Sequence, residues 1–499
     1  VAIPALIRLR GSAGADRGTF STASTLSADG GELSVKGRFN PREQSYDAAI
    51  RADSFPLNSF LPADSLGIVD LTLQARGTGF DPLLPRTRTS LRAQIDRAEF
   101  GGRDFGGIEL DAELDSQRLS GRISDRDEAL RLLLSVSGTL TEREQRIGLS
   151  GSVFGFDLAA LGVSPEPIGG SFALDASASA AGKGAYAARI ALDSIEIRNK
   201  HRTDRIRPTS VSLHTDSAAT RAEAASGDLS LTFSTPQSAD SLIAALTRSA
   251  RALAGQIDAQ SIDMEQLKPA LPDFALRVSA GPDNILNSLL KSRKIAFDAL
   301  NAEGANCDSL PVSIRLRTEG LAYGNVVLDT VTADIRQNGK RLEYALGLAN
   351  APGNLDNIAR AGLYGHLVRN TGQANLYQRN RAGREGFRFG LDVTWTDSLV
   401  RASVTPPDPL FGFEPWTVNR GNYLAYRFDK RVEADLDMTH GDQRFAIRTT
   451  PGGGDDDDIR LDIAGLNVGP AMGLFPSAPP VDGVLGANLT LNLAADSLS

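Results

Sequence analysis

The sequence is short of residues that cross-link, bind metal or react. A single cysteine, Cys307, occurs among 499 residues, so the chain makes no internal disulfide. The four histidines stand far apart and have no second ligand at the spacing of a metal site. We therefore predict no cofactor, no metal and no reactive thiol. The histidines are His201, His214, His366 and His440.

Aromatic residues are also scarce, at 6% of the chain, and charge of neither sign is concentrated. The net charge of -8 is spread along the sequence, which argues against a nucleic-acid partner because such proteins carry a concentrated basic face. Apolar residues make up 41%, enough to bury a large core. No apolar run approaches the twenty residues that a membrane-spanning helix needs.

Catalytic motifs are missing as well. The sequence has no phosphate-binding loop, no Gly-x-Ser-x-Gly elbow and no His-Glu-x-x-His pair. Acid pairs such as Asp111 and Glu113 resemble the two carboxylates of a glycosidase. Such pairs recur on nearly every predicted strand, which indicates solubility rather than one site. We predict that the protein is not an enzyme and has no catalytic residue.

The sequence is rich in period-two alternation. Residues 108–114 and 130–136 place apolar side chains on one face and polar side chains on the other, which is typical of β-strands. The links between such segments are short and carry turn residues, for example Asn338-Gly339. Short links favour antiparallel strands, because a parallel crossover needs a dozen or more residues. The pattern predicts a mostly β protein built from one long, repetitive antiparallel sheet.

A longer repeat organises these strands. A strand end, a turn that carries proline or glycine, and a new strand recur after Phe55, Phe156, Ile262 and Leu466. The period is about a hundred residues, seen once as a double step, and such repeats are typical of elongated arrays. We predict one continuous β-groove over residues 1–499, and we expect it to be a segment of a longer chain whose anchors lie outside it.

Two segments follow a helical period instead. Residues 238–254 place Leu242, Ala245, Leu246, Ser249 and Leu253 on one stripe, and Gly255 follows. Residues 283–294 predict a second, shorter helix with basic residues at its C-terminal end. These two inserts either plug the groove or cap an end of it, and the sequence leaves both roles open.

The apolar face of the predicted sheet is the candidate functional surface. For any single residue, a packed core is as good an interpretation as an open surface. The smooth aliphatic lining and the absence of differently patterned paired sheets favour an open sheet curled into a groove on which acyl chains lie. The predicted lining residues are Leu71, Leu73, Ile108, Leu110, Leu114, Leu132, Leu134, Val136, Phe172, Leu174, Ile314, Leu316, Val326, Leu328, Leu391, Val393, Leu436, Ile447, Leu461, Ile463, Leu489 and Leu491.

One stretch adds a family resemblance. Residues 410–424 resemble the Trp-x-Val-Asn-x-x-Asn stretch of TamB proteins, especially those of Bacteroidetes, and the repeat resembles the wider AsmA-like group. The resemblance implies a β-groove, also called a β-taco, in a periplasmic protein anchored in the inner membrane of a Gram-negative bacterium. It gives Trp416 and Asn422 structural roles, a packed ring and a tight turn, and supplies no catalytic residue.

Three functions are compatible with this pattern. The first is bridge-like transport of phospholipid acyl chains between the inner and outer membranes. The alternative is a scaffold or chaperone for outer-membrane protein assembly, in which regions outside this sequence contact a barrel partner. The third is a closed β-solenoid that binds carbohydrate or acts as an adhesin, which the low aromatic content disfavours.

Overall fold

A computed structural model describes residues 7–60, 66–101, 103–182, 184–200, 202–291, 293–307, 310–351, 358–405, 408–429, 431–450, 458–472 and 481–492. The chain divides into two units. The first comprises Val1–Gly227 and Asp283–Ser288, and the second comprises Asp228–Pro282 and Leu289–Ser499.

Sixteen strands of the described residues lie in the first unit. They are β1 (Ile7–Asp16), β2 (Thr19–Ala28), β3 (Gly31–Asn40), β4 (Ser45–Pro56), β5 (Leu66–Thr78), β6 (Arg88–Phe100), β7 (Arg103–Phe105), β8 (Ile108–Asp115), β9 (Arg118–Arg126), β10 (Leu130–Leu140), β11 (Glu144–Asp157), β12 (Gly169–Ala181), β13 (Ala185–Arg198), β14 (Thr203–Ile206), β15 (Thr209–Thr215) and β16 (Thr220–Ser226).

Nineteen further strands lie in the described part of the second unit. They are β17 (Leu229–Thr235), β18 (Phe274–Ala280), β19 (Ile295–Ala296), β20 (Ala299–Cys307), β21 (Leu310–Tyr323), β22 (Val326–Asn338), β23 (Arg341–Ala349), β24 (Arg360–Val368), β25 (Thr371–Arg379), β26 (Glu385–Thr396), β27 (Leu399–Val404), β28 (Leu410–Phe411), β29 (Glu414–Pro415), β30 (Thr417–Val418), β31 (Tyr423–Arg427), β32 (Val432–His440), β33 (Gln443–Thr450), β34 (Asp458–Asn467) and β35 (Val484–Asn492).

Strands make up 67% of the structure and helices 9%, which confirms the predicted mostly β class. In the described residues the strands form one long antiparallel sheet that does not close into a barrel. Most strands pair with the next strand in the sequence through a short link, whereas β17 and β18 pair across the segment that holds α1 and α2. At the predicted Asn338-Gly339 turn, β22 returns directly as β23, and Gly339 has a φ of 58°, a conformation that favours glycine.

The predicted repeat has a common local structure at three of its four anchors. The register slips between Ala52 and Phe55, between Val153 and Phe156, and between Ile463 and Leu466, so a β-bulge precedes each of these anchors. A bulge bends its strand and re-aims the next side chain. The fourth anchor, Ile262, has no strand before it and forms an isolated bridge with Arg369.

The bulge aims each anchor into a cluster. Phe55 is 3% exposed and stacks on Phe60 with ring centroids 5.1 Å apart. The ring centroid of Phe156 lies 6.0 Å from that of Phe172. Leu466 packs against a buried cluster around Trp416. The described core is therefore a series of small local clusters, each beside a repeat anchor.

The helices differ in part from the prediction of two. The described residues contain four: α1 (Ala239–Asp258), α2 (Met264–Leu267), α3 (Ile285–Lys291) and α4 (Val468–Met472). α2 and α4 follow repeat anchors as single turns. α3 is shorter than the predicted 283–294. None of the four is long and apolar enough to span a membrane.

α1 ends at Asp258 rather than at the predicted Gly255, and a side chain of its last turn bonds to the segment that follows. The amide of Gln256 donates to the carbonyl of Asp263 at 3.0 Å and accepts from its N–H at 3.1 Å. The residues of the predicted apolar stripe differ in burial. Ala245 is buried, whereas Leu246 and Leu253 are 52% and 44% exposed.

Candidate functional site

The second unit carries an unbroken apolar row across six strands. Residues directly opposite each other on neighbouring strands point to the same side of a sheet. The register therefore places one row of side chains, from β21 to β26, on a single face: Leu316, Ala333, Leu346, Leu363, Leu376 and Phe389. In each unit, we call the side of the sheet that carries such an apolar row the apolar face. We call the opposite side the polar face.

Part of this apolar face is open to solvent. Ile314, Leu346 and Leu376 are 46%, 44% and 38% exposed. In a closed sandwich the same positions would meet a second sheet and be buried. The exposure therefore favours an accessible surface over a filled core.

A concave cavity opens on this face. Its volume is about 490 Å³, and most of its lining is aliphatic. Leu328, one of the predicted lining residues, contributes to it. The lining consists of Leu328, Val331, Thr332, Ala333, Leu346, Gly347, Leu348, Ala361, Gly362, Leu363, Leu376, Tyr377, Gln378 and Phe387.

The sequence analysis missed most of this cavity. The aliphatic residues of β23 to β25 were not among the predicted lining. A signal was present, because Leu346 and Leu348 alternate with the small residues Ala345 and Gly347. Alanine and glycine are not polar, so the contrast between alternate positions is weak. Such a strand is harder to recognise than one that alternates leucine with aspartate.

The first unit has a corresponding face. Leu73, Ala93, Leu110, Ile123 and Leu134 oppose one another in turn from β5 to β10. All ten predicted lining residues of this unit lie on that face by register. They are Leu71, Leu73, Ile108, Leu110, Leu114, Leu132, Leu134, Val136, Phe172 and Leu174.

Most predicted lining residues of the second unit share the apolar face as well. The register places there Ile314, Leu316, Leu391, Val393, Leu436, Ile447, Leu461, Ile463, Leu489 and Leu491. Their accessibility differs, because Leu436 is 4% exposed whereas Leu489 is 50% exposed. Val326 is 49% exposed near the start of β22. That these residues line a lipid groove stays a prediction.

The α2 segment covers one rim of the apolar face in the second unit. Met264 and Leu267 are 2% and 8% exposed and form a buried cluster with Val312 at the start of β21. Leu342, at the start of β23, packs against the same cluster. The indole N–H of Trp395, near the end of β26, donates to the backbone carbonyl of Gln260, which precedes α2 in the sequence. The α2 segment therefore covers this rim of the apolar face. The cavity of about 490 Å³ lies further along the strands.

The stretch that carries the family resemblance is a packed corner. Trp416 is 2% exposed and forms a cluster with Leu436 and Met438, so the predicted packed ring is present. Asn422 follows a turn, accepts from the N–H of Val404 at 2.7 Å and donates to its carbonyl at 3.2 Å. These contacts are structural, and the buried indole N–H of Trp416 has no hydrogen-bond partner among the described residues.

The polar face is covered by ion pairs between strands. Arg92 lies 3.0 Å from Asp111, and Arg277 lies 3.2 Å from Glu303. Most of these pairs are exposed and contribute little to stability. They explain why acid pairs recur on the predicted strands without forming a site. Among the described residues, no three His, Cys, Asp or Glu side chains come together as a metal site would require.

Comparison with known proteins finds no match among protein-family models, curated proteins or solved structures. The site is therefore described by its own geometry. It is an accessible apolar surface with a cavity, and the opposite side of the sheet is charged.

Proposed function

We propose that the chain carries lipid acyl chains along the apolar face of its sheet. The observation that carries this proposal is the apolar row from β21 to β26, in which Leu346 and Leu376 are exposed, beside a cavity of about 490 Å³. An accessible apolar surface favours an occupant in water, and an acyl chain matches its apolar character.

The energetics of such a surface suit transport. Burying one CH₂ group contributes about 0.8 kcal/mol. Moving an acyl chain from one part of the row to the next leaves this burial nearly unchanged, because leucine, isoleucine and alanine recur on every strand. The lipid is then held firmly while it diffuses along the face, and no catalytic residue is needed.

We further propose that the cargo is phospholipid and that the protein works in the periplasm, between the inner and outer membranes. This part rests on the resemblance of residues 410–424 to TamB proteins and of the repeat to AsmA-like proteins. The inner-membrane anchor and any barrel partner belong to the same proposal.

A charge on the apolar face should block transport. We expect Leu346→Asp and Leu376→Asp to slow transfer of a fluorescent phospholipid between vesicles by more than tenfold, because a charge among acyl chains costs about 2.5 kcal/mol. Ala345→Asp is the matched control, since Ala345 is exposed on the polar face beside Leu346. Unchanged transfer in both leucine variants would contradict the proposal.

Leu436 is unsuitable for this test. It is 4% exposed and packs with Trp416, so Leu436→Asp would disrupt a core cluster as well as the apolar face. Any loss of transfer would then report unfolding. Leu346 and Leu376 avoid this ambiguity because both are more than one third exposed.

The alternative function is a scaffold for outer-membrane protein assembly. The observation that favours it is strand β1, in which all ten residues are exposed and which pairs with β2. An open strand edge can template another strand by backbone hydrogen bonding. Under this alternative, Arg10→Pro in β1 would impair function more than Leu346→Asp would.

A further inference from the structure

One part of the polar face of the first unit is poor in acidic residues. On β6 and β8 its arginines are paired across strands, as Arg88 with Asp115 at 2.8 Å and Arg92 with Asp111 at 3.0 Å. From β11 to β16, one cross-strand row contains no acid at all. The row consists of Arg146, Ser179, Ala187, His214 and Arg221.

The next row adds a third arginine between two hydroxyls. Arg189 stands directly opposite Ser177 on β12 and Ser212 on β15. Beyond Ser212 the row ends at Glu223, the one acid in this group. Within the described residues neither Arg189 nor Arg221 forms an ion pair, whereas Arg146 contacts Glu144 at 2.7 Å.

These two rows enclose a cavity of about 420 Å³. Its floor is made of small side chains, serine and alanine, which leave room above the sheet. Its sides carry the charged groups. The lining consists of Arg146, Ser177, Ala178, Ser179, Ala187, Ala188, Arg189, Ser212, Leu213, His214, Arg221 and Glu223.

Arg189 lies close enough to each of the other two arginines to share a ligand with it. Arg146 and Arg221 each stand two strands and one row away from Arg189, a distance of about 12 Å between Cα atoms at the usual strand spacing and rise. Long, flexible side chains can bridge such a gap. At one end of the row, the pKa of Asp216 is lowered mainly by the N–H groups of Ala218 and Ala219, and further by the charges of His214 and Arg221.

We propose that this pocket binds a phosphate-bearing anion. Guanidinium groups bind phosphate oxygens in pairs of hydrogen bonds, which makes arginine the preferred side chain for this ligand. Arg189 and Arg221 donate hydrogen bonds to the phosphate oxygens. The remaining phosphate oxygens accept hydrogen bonds from the hydroxyls of Ser177, Ser179 and Ser212. The ligand adds negative charge beside two arginines that form no ion pair within the described residues.

Two sources could supply this phosphate: a soluble phosphate compound, or the headgroup of a phospholipid. Only the second source rests on the proposed lipid transport. The pocket lies on the polar face, so an acyl chain on the apolar face does not fill it.

The test has two arms. In the first, inorganic pyrophosphate is titrated into the whole chain by calorimetry. In the second, the chain is sedimented with vesicles of phosphatidylglycerol or of phosphatidylcholine. We expect Arg189→Gln and Arg221→Gln each to weaken binding about tenfold or more, the effect of losing a charge-assisted hydrogen bond. Arg92→Gln, which removes a paired arginine of the same face, should change the affinity less than twofold.

Each outcome decides the proposal. Pyrophosphate binding that depends on Arg189 and Arg221 supports the pocket with a soluble ligand. Binding to phosphatidylglycerol vesicles alone, with the same dependence, supports the pocket with a lipid headgroup. No binding in either arm, or an equal loss in Arg92→Gln, overturns it. Pyrophosphate has no acyl chain, so a failure to bind it would not bear on lipid transport. For the same reason, the Leu346→Asp variant should bind pyrophosphate as the wild type does.

Discussion

At the scale of single residues, the face of the sheet decides how a carboxyl group behaves. Asp125 lies on the apolar face opposite Ile108 and Leu132 and is 7% exposed. Burial raises its pKa, although the N–H of Asp127 donates to it at 2.9 Å and opposes the shift. Asp437 lies on the polar face, where a hydrogen bond from Arg444 at 2.6 Å lowers its pKa.

The raised pKa of Asp125 makes its charge unfavourable in the folded state. The folded protein holds this proton to higher pH than the unfolded chain does, so the free energy of unfolding falls as pH rises through the raised pKa. We expect Asp125→Asn to raise the melting temperature at pH 7, and the gain should vanish below about pH 4, the ordinary range of aspartate.

Asp216→Asn is the control of opposite sign, because backbone N–H groups lower the pKa of Asp216. This variant should lower the melting temperature at pH 7, and its deficit should also disappear in acid. Thermal unfolding followed by circular dichroism from pH 3 to pH 8 makes both comparisons. Shifts of the same sign in the two variants would contradict this account.

The lowered pKa of Asp437 predicts a loss of stability when its charge is removed. Arg444 is the main partner and Arg448 contacts the same oxygen at 2.5 Å. The carboxylate contributes stability above the ordinary aspartate pKa, and this contribution is lost as pH falls through the lowered value. Asp437→Asn should cost about 1–3 kcal/mol at neutral pH. Urea unfolding at pH 7 and at pH 3 measures the cost, which should shrink in acid.

At the scale of elements, two asparagines hold the corner that follows Trp416. Asn419 accepts from the N–H of Asp437 at 2.9 Å, which joins the turn to β32. Asn422 exchanges two hydrogen bonds with Val404 at the end of β27 and donates to the carbonyl of Asn419 at 3.1 Å. The turn therefore links two strands that have no residue pairs with each other in the described register.

Asn422→Ala should loosen this corner. It leaves the backbone groups of Val404 without their side-chain partner, at a cost of about 1–3 kcal/mol. Hydrogen exchange at the Val404 amide should accelerate in the variant. Asn488→Ala, an exposed asparagine on β35, should leave exchange at Val404 unchanged. Protection of Val404 that is equal in both variants would show that the corner is held by packing alone.

Many elements could be predicted from the sequence because alternation reports directly on a two-faced strand. The segments at 108–114 and 130–136 lie within strands, and three of the four repeat anchors directly follow bulges. Single-turn α2 was missed, since four residues are too few to show a helical period. The only local signal was Asp263, whose carboxylate accepts from the N–H of Glu265 at 3.0 Å as an N-cap.

The site was harder to predict than the strands. Alternation shows which residues share a face, but not whether that face is covered. Leu134 and Leu436 are buried although Ile314, on an equivalent pattern, is 46% exposed. The difference depends on bulges, turns and distant segments such as α2, which bring side chains over some parts of the face and not others. No local pattern carries that information.

At the scale of the whole molecule, each unit has an apolar face that continues from strand to strand. Its described core is divided into small clusters, and large aliphatic residues between them remain exposed, such as Ile190 and Val211 in the first unit, at 47% each. A protein with this much accessible apolar surface needs an occupant for it. We infer that the occupant is lipid.

The most direct measurement is the amount of lipid that the purified chain carries. Native mass spectrometry and lipid extraction would be applied to the wild type, Leu346→Asp and the control Ala345→Asp. The account predicts several phospholipids per wild-type chain, the same number in the control, and clear loss in the leucine variant. A stable, folded wild-type chain that carries no lipid would contradict the account.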